Sequence, residues 1–369
     1  MAKKTDARAE KVIKKLVGLG NEAVREVAAG ENPSVEIPLR ALSNINFNEK
    51  RQIIELGNAK QERYLFKVGM ARKFMQTFLV ASACKDLLEE GKTTSIRDLY
   101  YITKHTLGQS RANTFEEQDE SDPIIEDLEV TIDSLREELN LHASNKGAAV
   151  GDLTIVDSGD VIDLRRMGSG GWSVPSIVEE NVIQFRRGSK AKYVLLVEKD
   201  AVWRRLNEDR YWKKHECILV HGGGMVARGL RRFLYRLHHE LDLPVYVVVD
   251  NDPWGLYIYS VVKQGSINLA YESVRMAIPK ARFLGLSSFD REGFDLPPNV
   301  TIKLNDQDRR RGEQMLKYPW FEKKQWQKEI QQLLKAGVKL ELEALSAKGI
   351  SFISEKYLPQ KIEAKQWLV

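Results

Sequence analysis

Cysteine is scarce in this sequence: Cys84 and Cys217 are the only two in 369 residues, far apart and without the spacing of metal ligands. That scarcity argues against a thiolate zinc site and fits a reducing compartment. No apolar run approaches the length needed to cross a bilayer. The opening stretch, MAKKTDARAEKVIKK, is charged throughout and lacks the apolar centre of a signal peptide, so a cytoplasmic protein without a membrane partner is expected. Internal repeats and low-complexity tracts are also missing. The segment GKTTS at 91–95 looks like the end of a nucleotide-phosphate loop, but the glycine required five residues earlier is replaced by Asp86. If the reaction consumes ATP, another chain must bind the nucleotide.

What is present suffices for two or three domains with real cores. The formal charge of +5 leans weakly towards an anionic partner. Residues 6–30 read as an amphipathic helix, with Val12, Ile13, Leu16, Val17, Ala23, Val24 and Val27 near helical spacing until Pro33 and Pro38 break the pattern. Residues 49–90 also read as helical, closed by Gly91. Thr94 or Ser95 can cap a further helix, and Pro123 can open another whose apolar residues run from Ile124 to Leu139. Three helices joined by polar turns suggest a helix-turn-helix or winged-helix module.

Beyond a glycine- and serine-rich junction starting near residue 144, the chain alternates in α/β fashion. YVLLVE (193–198), CILVHG (217–222) and LPVYVVVD (243–250) are near-continuous apolar strands separated by helical stretches, the pattern of a parallel sheet covered on both faces. Ligand sites in such sheets lie beyond the carboxyl ends of the strands. Two of these strands end in acid, at Glu198 and Asp250, and Asp252 follows. Residues i and i+2 of extended backbone share a side, and Pro253 keeps Asp252 extended, so Asp250 and Asp252 are expected to converge with Glu198. Lys199, next along the chain, is expected to point away. Converging carboxylates need a cation between them, and an all-oxygen set suits magnesium. Acids at strand ends also serve as caps and turn residues.

Two further features carry alternatives. The glycines of HGGGMVARGLRRF (221–233) either cradle a phosphate ahead of a helix N-terminus or make a tight turn. In SIRDLYYITKH, Arg97 lies three residues before Tyr100 and four before Tyr101, so one helix face can hold arginine and a tyrosine, with Lys104 and His105 a turn further on. A tyrosine can hold a phosphate bond covalently and release it again, given help in reaching its phenolate. Spacing does not choose between the two tyrosines. Arg309–Arg311 read as a solvated helical face with a possible role against a DNA backbone.

These motifs carry a resemblance. Strand-Glu followed by strand-Asp-x-Asp resembles the Toprim domain of topoisomerases and primases, and VEKDAVWRRL with VVVDNDPWGLYIY is similar to the A subunits of archaeal topoisomerase VI. The family often has a small residue where this sequence has Asn251. Arg-Asp-x-Tyr-Tyr resembles the signature of the CAP-like winged-helix domain shared with the meiotic double-strand-break transesterases. The likeness extends through LTIVDSGDVIDLRRMGSGGW and the C-terminal KYPWF…WQKEI…SAKGISFISEKYLP.

The resemblance implies a multidomain α/β protein: an N-terminal helical extension (1–68), a CAP-like winged-helix domain (69–148), and a Toprim Rossmann-like domain with a C-terminal extension (149–369). It implies Tyr101 as nucleophile, Arg97 as its support, and Glu198, Asp250 and Asp252 as Mg2+ ligands. The implied function is the DNA-cleaving part of an ATP-dependent type IIB topoisomerase. The implied partners are double-stranded DNA, a second copy of the chain, and an ATPase B subunit in an A2B2 heterotetramer, with residues 1–30 as a candidate docking element. The implied location is nucleoid-associated within the cytoplasm. Rival readings are a Toprim-type nuclease that hydrolyses DNA, a break-forming transesterase that never reseals, and a non-enzymatic DNA-binding regulator.

Overall fold

The computed structural model describes residues 7–369. The first residue of the helix expected at 6–30, and the lysine-rich start of the candidate docking element, lie outside the described residues. The chain divides into two compact units, one comprising residues up to Ile45 with Leu56–Ser144, the other Asn46–Glu55 with Asn145–Val369.

The first unit is mainly helical. Helix α1 (Ala7–Ala28) buries Val12 and Leu16. These join Val80, Cys84 and Leu88 of α2 (Val68–Glu90), Leu99 and Tyr100 of α3 (Ile96–Thr103), and Ile124, Ile125 and Leu128 of α4 (Ser121–Thr131) in one core. The antiparallel strands β1 (Ser34–Pro38) and β2 (Lys60–Tyr64) belong to the same unit. Gly91 ends α2 in the left-handed conformation, as expected of a residue without Cβ.

Two expectations fail here. Residues 49–67 are not helical: Ile53–Leu56 and Lys60–Tyr64 are strands, and the helix starts only at Val68. Short apolar pairs such as Ile53-Ile54 fit either period, and Lys60–Tyr64 is a strand through its pairing with Ser34–Pro38, which no local pattern marks. The long helix expected to run from Ile124 to Leu139 stops at Thr131, and Arg136–Leu139 form a separate 3-10 turn. Asp133 between them is left-handed, and the buried Glu129 carboxylate accepts the Arg136 N–H at 2.5 Å. The sequence Thr-Ile-Asp-Ser is a run of weak helix formers, so the backbone yields there.

The second unit is built on a six-stranded sheet. Its strands are β3 (Ala148–Gly151), β4 (Trp172–Ser173), β5 (Tyr193–Val197), β6 (Cys217–His221), β7 (Val245–Val248) and β8 (Arg282–Gly285), ordered β4-β3-β6-β5-β7-β8. The central β6, β5, β7 and β8 are parallel, as their unbroken apolar runs predict. β3 and β4, in the stretch after residue 144 that reads as a junction with short strands, add an antiparallel edge to this sheet. Helices α5 (Asp200–Glu208), α6 (Arg228–Glu240) and α7 (Pro253–Gln264) follow β5, β6 and β7. The helical stretch expected through 215 is interrupted at Arg210, which is left-handed. A separate three-stranded sheet joins Thr154–Asp157 to Asp160–Asp163 and Ile183–Phe185. Among the described residues, no helix is long and apolar enough to cross a membrane.

Candidate functional site

Helix α3 presents its two tyrosines differently. Ser95 caps the helix, accepting the Asp98 N–H at 3.0 Å and donating its hydroxyl to the Asp98 carboxylate at 2.7 Å. Leu99, Tyr100 and Thr103 then face the core, while Arg97 and Tyr101 face outwards. Tyr100 is 6% exposed, and its hydroxyl donates to the Glu116 carbonyl at 2.8 Å and accepts from Lys104 Nζ at 2.7 Å. Tyr101 is 60% exposed, and its hydroxyl has no hydrogen bond to any described residue. Adjacent helical positions lie about 100° apart, so one tyrosine must be committed to packing when the other is free. Lys104 is correspondingly committed to Tyr100 and not to Tyr101. Arg97 carries no ion pair among the described residues and shares the outer face of the helix with Tyr101 by its spacing.

In the second unit, Glu198 immediately follows β5 and Asp250 lies two residues beyond β7. Since β5 and β7 are parallel neighbours, their ends adjoin. The Asp250 N–H donates to Glu198 Oε2 at 3.0 Å. Asp250 is buried: Oδ1 accepts the Leu342 N–H at 2.8 Å, and Oδ2 lies 3.0 Å from Lys199 Nζ. Asp252 is extended, as Pro253 requires, and its Oδ1 caps α7 by accepting the Gly255 N–H at 2.6 Å. Asn251 turns to the opposite side, where its amide donates to Ser288 Oγ at 3.1 Å, so its bulk does not disturb the acids.

Burial pushes the Glu198 carboxyl up to about 7; the Asp250 N–H and Lys199 oppose the shift, and the charges of Asp250 and Asp252 add to it. Burial likewise raises Asp250 to about 6, against the pull of the Leu342 N–H and of Lys199. Asp252 is raised by burial and lowered by its capping bond to Gly255. The three acids are therefore an electrostatically strained oxygen-donor set. They do not form a closed cage: among the described residues, no three or more His, Cys, Asp or Glu are gathered tightly enough to hold an ion alone.

The expectation for Lys199 is overturned. Its backbone is extended, but four methylenes let the ammonium curl back to Asp250 and also reach Glu341 at 3.0 Å and Glu343 at 2.8 Å. Glu341, Leu342 and Glu343 were not among the residues expected at the site. Leu340 pairs with Asn251 through backbone bonds in both directions, which carries that segment to the acids. No local pattern signals such a long-range pairing. The glycine loop resolves in favour of the turn: Gly222 and Gly224 donate their N–H groups to the Val197 and Glu198 carbonyls, and Gly223 and Gly224 have positive φ. Two of the three groups that might have held a phosphate are thus already bonded.

A parallel sheet whose neighbouring strands end in buried acid defines a Toprim-class protein. The family model for the Toprim domain of the topoisomerase 6 A subunit and Spo11 matches residues 193–362. "Type IIB DNA topoisomerase" matches 72–141, and "All-beta domain in DNA topoisomerase VI alpha subunit" matches 145–188. The A subunit of type 2 DNA topoisomerase 6 from Pyrococcus abyssi is 44% identical over 96% of this chain and 94% of its own. Those of Hyperthermus butylicus and Methanocaldococcus jannaschii are 42% and 34% identical, over 94% and 96% of this chain and 93% and 95% of theirs. The chain belongs to the family of topoisomerase VI A subunits, enzymes of the type II DNA topoisomerase class.

Proposed function

We propose that this chain is the DNA-cleaving subunit of an ATP-dependent type IIB topoisomerase and that Tyr101 is its nucleophile. The phenol oxygen of Tyr101 bonds to a backbone phosphorus, the P–O3′ bond breaks, and its electron pair leaves with the 3′ oxygen. The phenol proton is lost as the new bond forms. The product is a 5′-phosphotyrosyl link that conserves the phosphodiester's energy for resealing. Arg97, on the same helical face, stabilises the phenolate and the charge on the phosphate. Two such cuts open a duplex for strand passage, relaxing supercoils and decatenating DNA.

Magnesium suits the acids because it keeps much of its water and needs only one or two carboxylates beside a phosphate, so the lack of a cage does not count against it. Glu198, Asp250 and Asp252 would hold it, and when bound it supplies Lewis-acid stabilisation at the phosphate. The residues around Tyr101 form a CAP-like winged-helix domain in this reading. Two copies of the chain associate with two copies of an ATPase B subunit, on DNA in the nucleoid. The outer face of α1, with Val24 and Val27 exposed, is a candidate contact for that partner, while its Val12 face is occupied by its own core.

The observation that carries the reading is the free, exposed hydroxyl of Tyr101 beside the buried, bonded one of Tyr100. The test uses supercoiled plasmid, Mg2+, ATP and the B subunit, followed by denaturation. Wild type and Tyr100→Phe should leave protein covalently attached to 5′ ends, and Tyr101→Phe should leave none. Cutting without an adduct would replace this reading with a hydrolytic Toprim nuclease.

A further inference from the structure

The first turn of α6 concentrates positive charge: four arginines lie there or nearby, and one of them, Arg231, has no bonded partner among the described residues. Arg228 and Arg231 are both buried there, at the helix end where the backbone dipole is itself positive. The capping residue, Ala227, offers no side-chain acceptor. Nearby, Arg228 and Arg275 share Glu272, and Arg232 and Arg275 share Glu179. Those two carboxylates serve three arginines, and Arg231 takes neither.

Arg231 is 3% exposed, its Nε is buried without a partner, and its guanidinium makes no hydrogen bond or ion pair to any described residue. Helical geometry favours a side chain at this position leaning back towards the N-terminus. Its electrostatic neighbours are Glu272, Arg228, Tyr257 and Tyr271. Tyr257 also meets a second arginine without a carboxylate partner. Arg311, on the helix Asp306–Met315, stacks 3.9 Å from the Tyr257 ring centre and 5.1 Å from that of the exposed Trp254, and its Nε is likewise buried and unpaired. A buried cation without a bonded counter-ion is costly, so Arg231 at the helix N-terminus, with the half-buried Arg311 stacked on Tyr257, calls for an anion. Tyr257 and Trp254 lie on α7, the helix capped by Asp252.

We propose that Arg231 and Arg311, with the α6 N-terminus and the Trp254–Tyr257 face, bind a backbone phosphodiester of DNA. The proposal rests on DNA being the substrate. It gives a role to two motifs the cleavage chemistry leaves unused: the helix after the glycine turn and the Arg309–Arg311 run. The contact is to phosphate, so it positions the duplex without reading its sequence.

The test is fluorescence anisotropy of a labelled duplex against the full-length chain in EDTA, over a range of salt concentrations. Arg231→Met and Arg311→Gln should each weaken binding several-fold, and should reduce the slope of log affinity against log salt by about 1. Arg231→Met should also melt higher than wild type in phosphate-free buffer, because an uncompensated buried charge has been removed, and it should lose the stabilisation that inorganic phosphate gives wild type. Unchanged affinity and slope in folded variants would overturn the proposal. So would stabilisation by inorganic phosphate without any effect on DNA binding, which marks a small-anion site. If Arg231→Met fails to fold, Arg311→Gln alone decides by the same readout. Failure of wild type to bind the duplex would instead sink the topoisomerase reading itself.

Discussion

Tyr100 and Tyr101 are adjacent and chemically identical, yet one is buried and hydrogen-bonded and the other exposed. Removing the Tyr100 hydroxyl takes one hydrogen bond each from the Glu116 carbonyl and Lys104, which still meet each other at 3.0 Å. Tyr100→Phe is expected to lower unfolding free energy by about 1–2 kcal/mol while retaining covalent cleavage. Tyr101→Phe removes an exposed group and should leave stability within about 0.5 kcal/mol of wild type in denaturant melts while abolishing the adduct. A stability loss in Tyr101→Phe matching that of Tyr100→Phe would contradict the assignment. Lys199 is the other decisive residue. It is the cation that Asp250, Glu341 and Glu343 share, so Lys199→Ala exposes a buried carboxylate to its neighbours' repulsion. The variant should melt several degrees below wild type in EDTA and recover part of the difference on adding Mg2+. Equal melting temperatures in EDTA would show that the ammonium contributes nothing there.

Among the elements, the parallel strands were the most legible, because strands buried on both faces leave unbroken apolar runs. Helices α3, α6 and α7 were also readable from caps and periodicity. The 53–64 strands were not, since short apolar pairs fit two periods, and neither was the break after Thr131, where a tertiary bond from Glu129 overrides an apparently continuous apolar stripe. Helix α7 contains a pH-sensitive feature that sequence could not show. Near its end, Lys263 is buried and its ammonium donates to the Pro279 and Ala281 carbonyls, tying the helix to the approach to β8. Burial lowers its pKa from 10.5 to about 7, with the charge of Lys323 adding to the effect. Between those values the unfolded chain binds a proton that the folded one does not, so stability rises with pH across that window. The contribution is at most about 1.4 kcal/mol per pH unit. Lys263→Met should lack this slope when denaturant melts at pH 7 and pH 9 are compared with wild type. A wild-type slope no steeper than the variant's would disprove the lowered value.

For the whole molecule, Tyr101 belongs to one compact unit and Glu198, Asp250 and Asp252 to the other. The identities of the acids could be read from strand ends and a familiar pattern. Their immediate surroundings could not, because the lysine clamp and the Leu342 N–H arrive through a pairing nearly a hundred residues away in sequence. In the proposed reaction, this division permits each cleavage site to be assembled from two copies of the chain. A mixture of Tyr101→Phe and Asp250→Ala chains is then expected to nick plasmid, because one of the two sites in a mixed dimer is intact. If the mixture is as inactive as each variant alone, tyrosine and acids act within one copy.

The pairing of Leu340 with Asn251 also has a consequence for synthesis of the protein. The residue that donates to Asp250 Oδ1 lies 92 positions further along the chain, so ribosomes finish every acid long before they make the segment that orders them. A polypeptide released early would hold the three acids without Leu342, Glu341 or Glu343. The order seen around the acids therefore waits for the segment that carries Leu342.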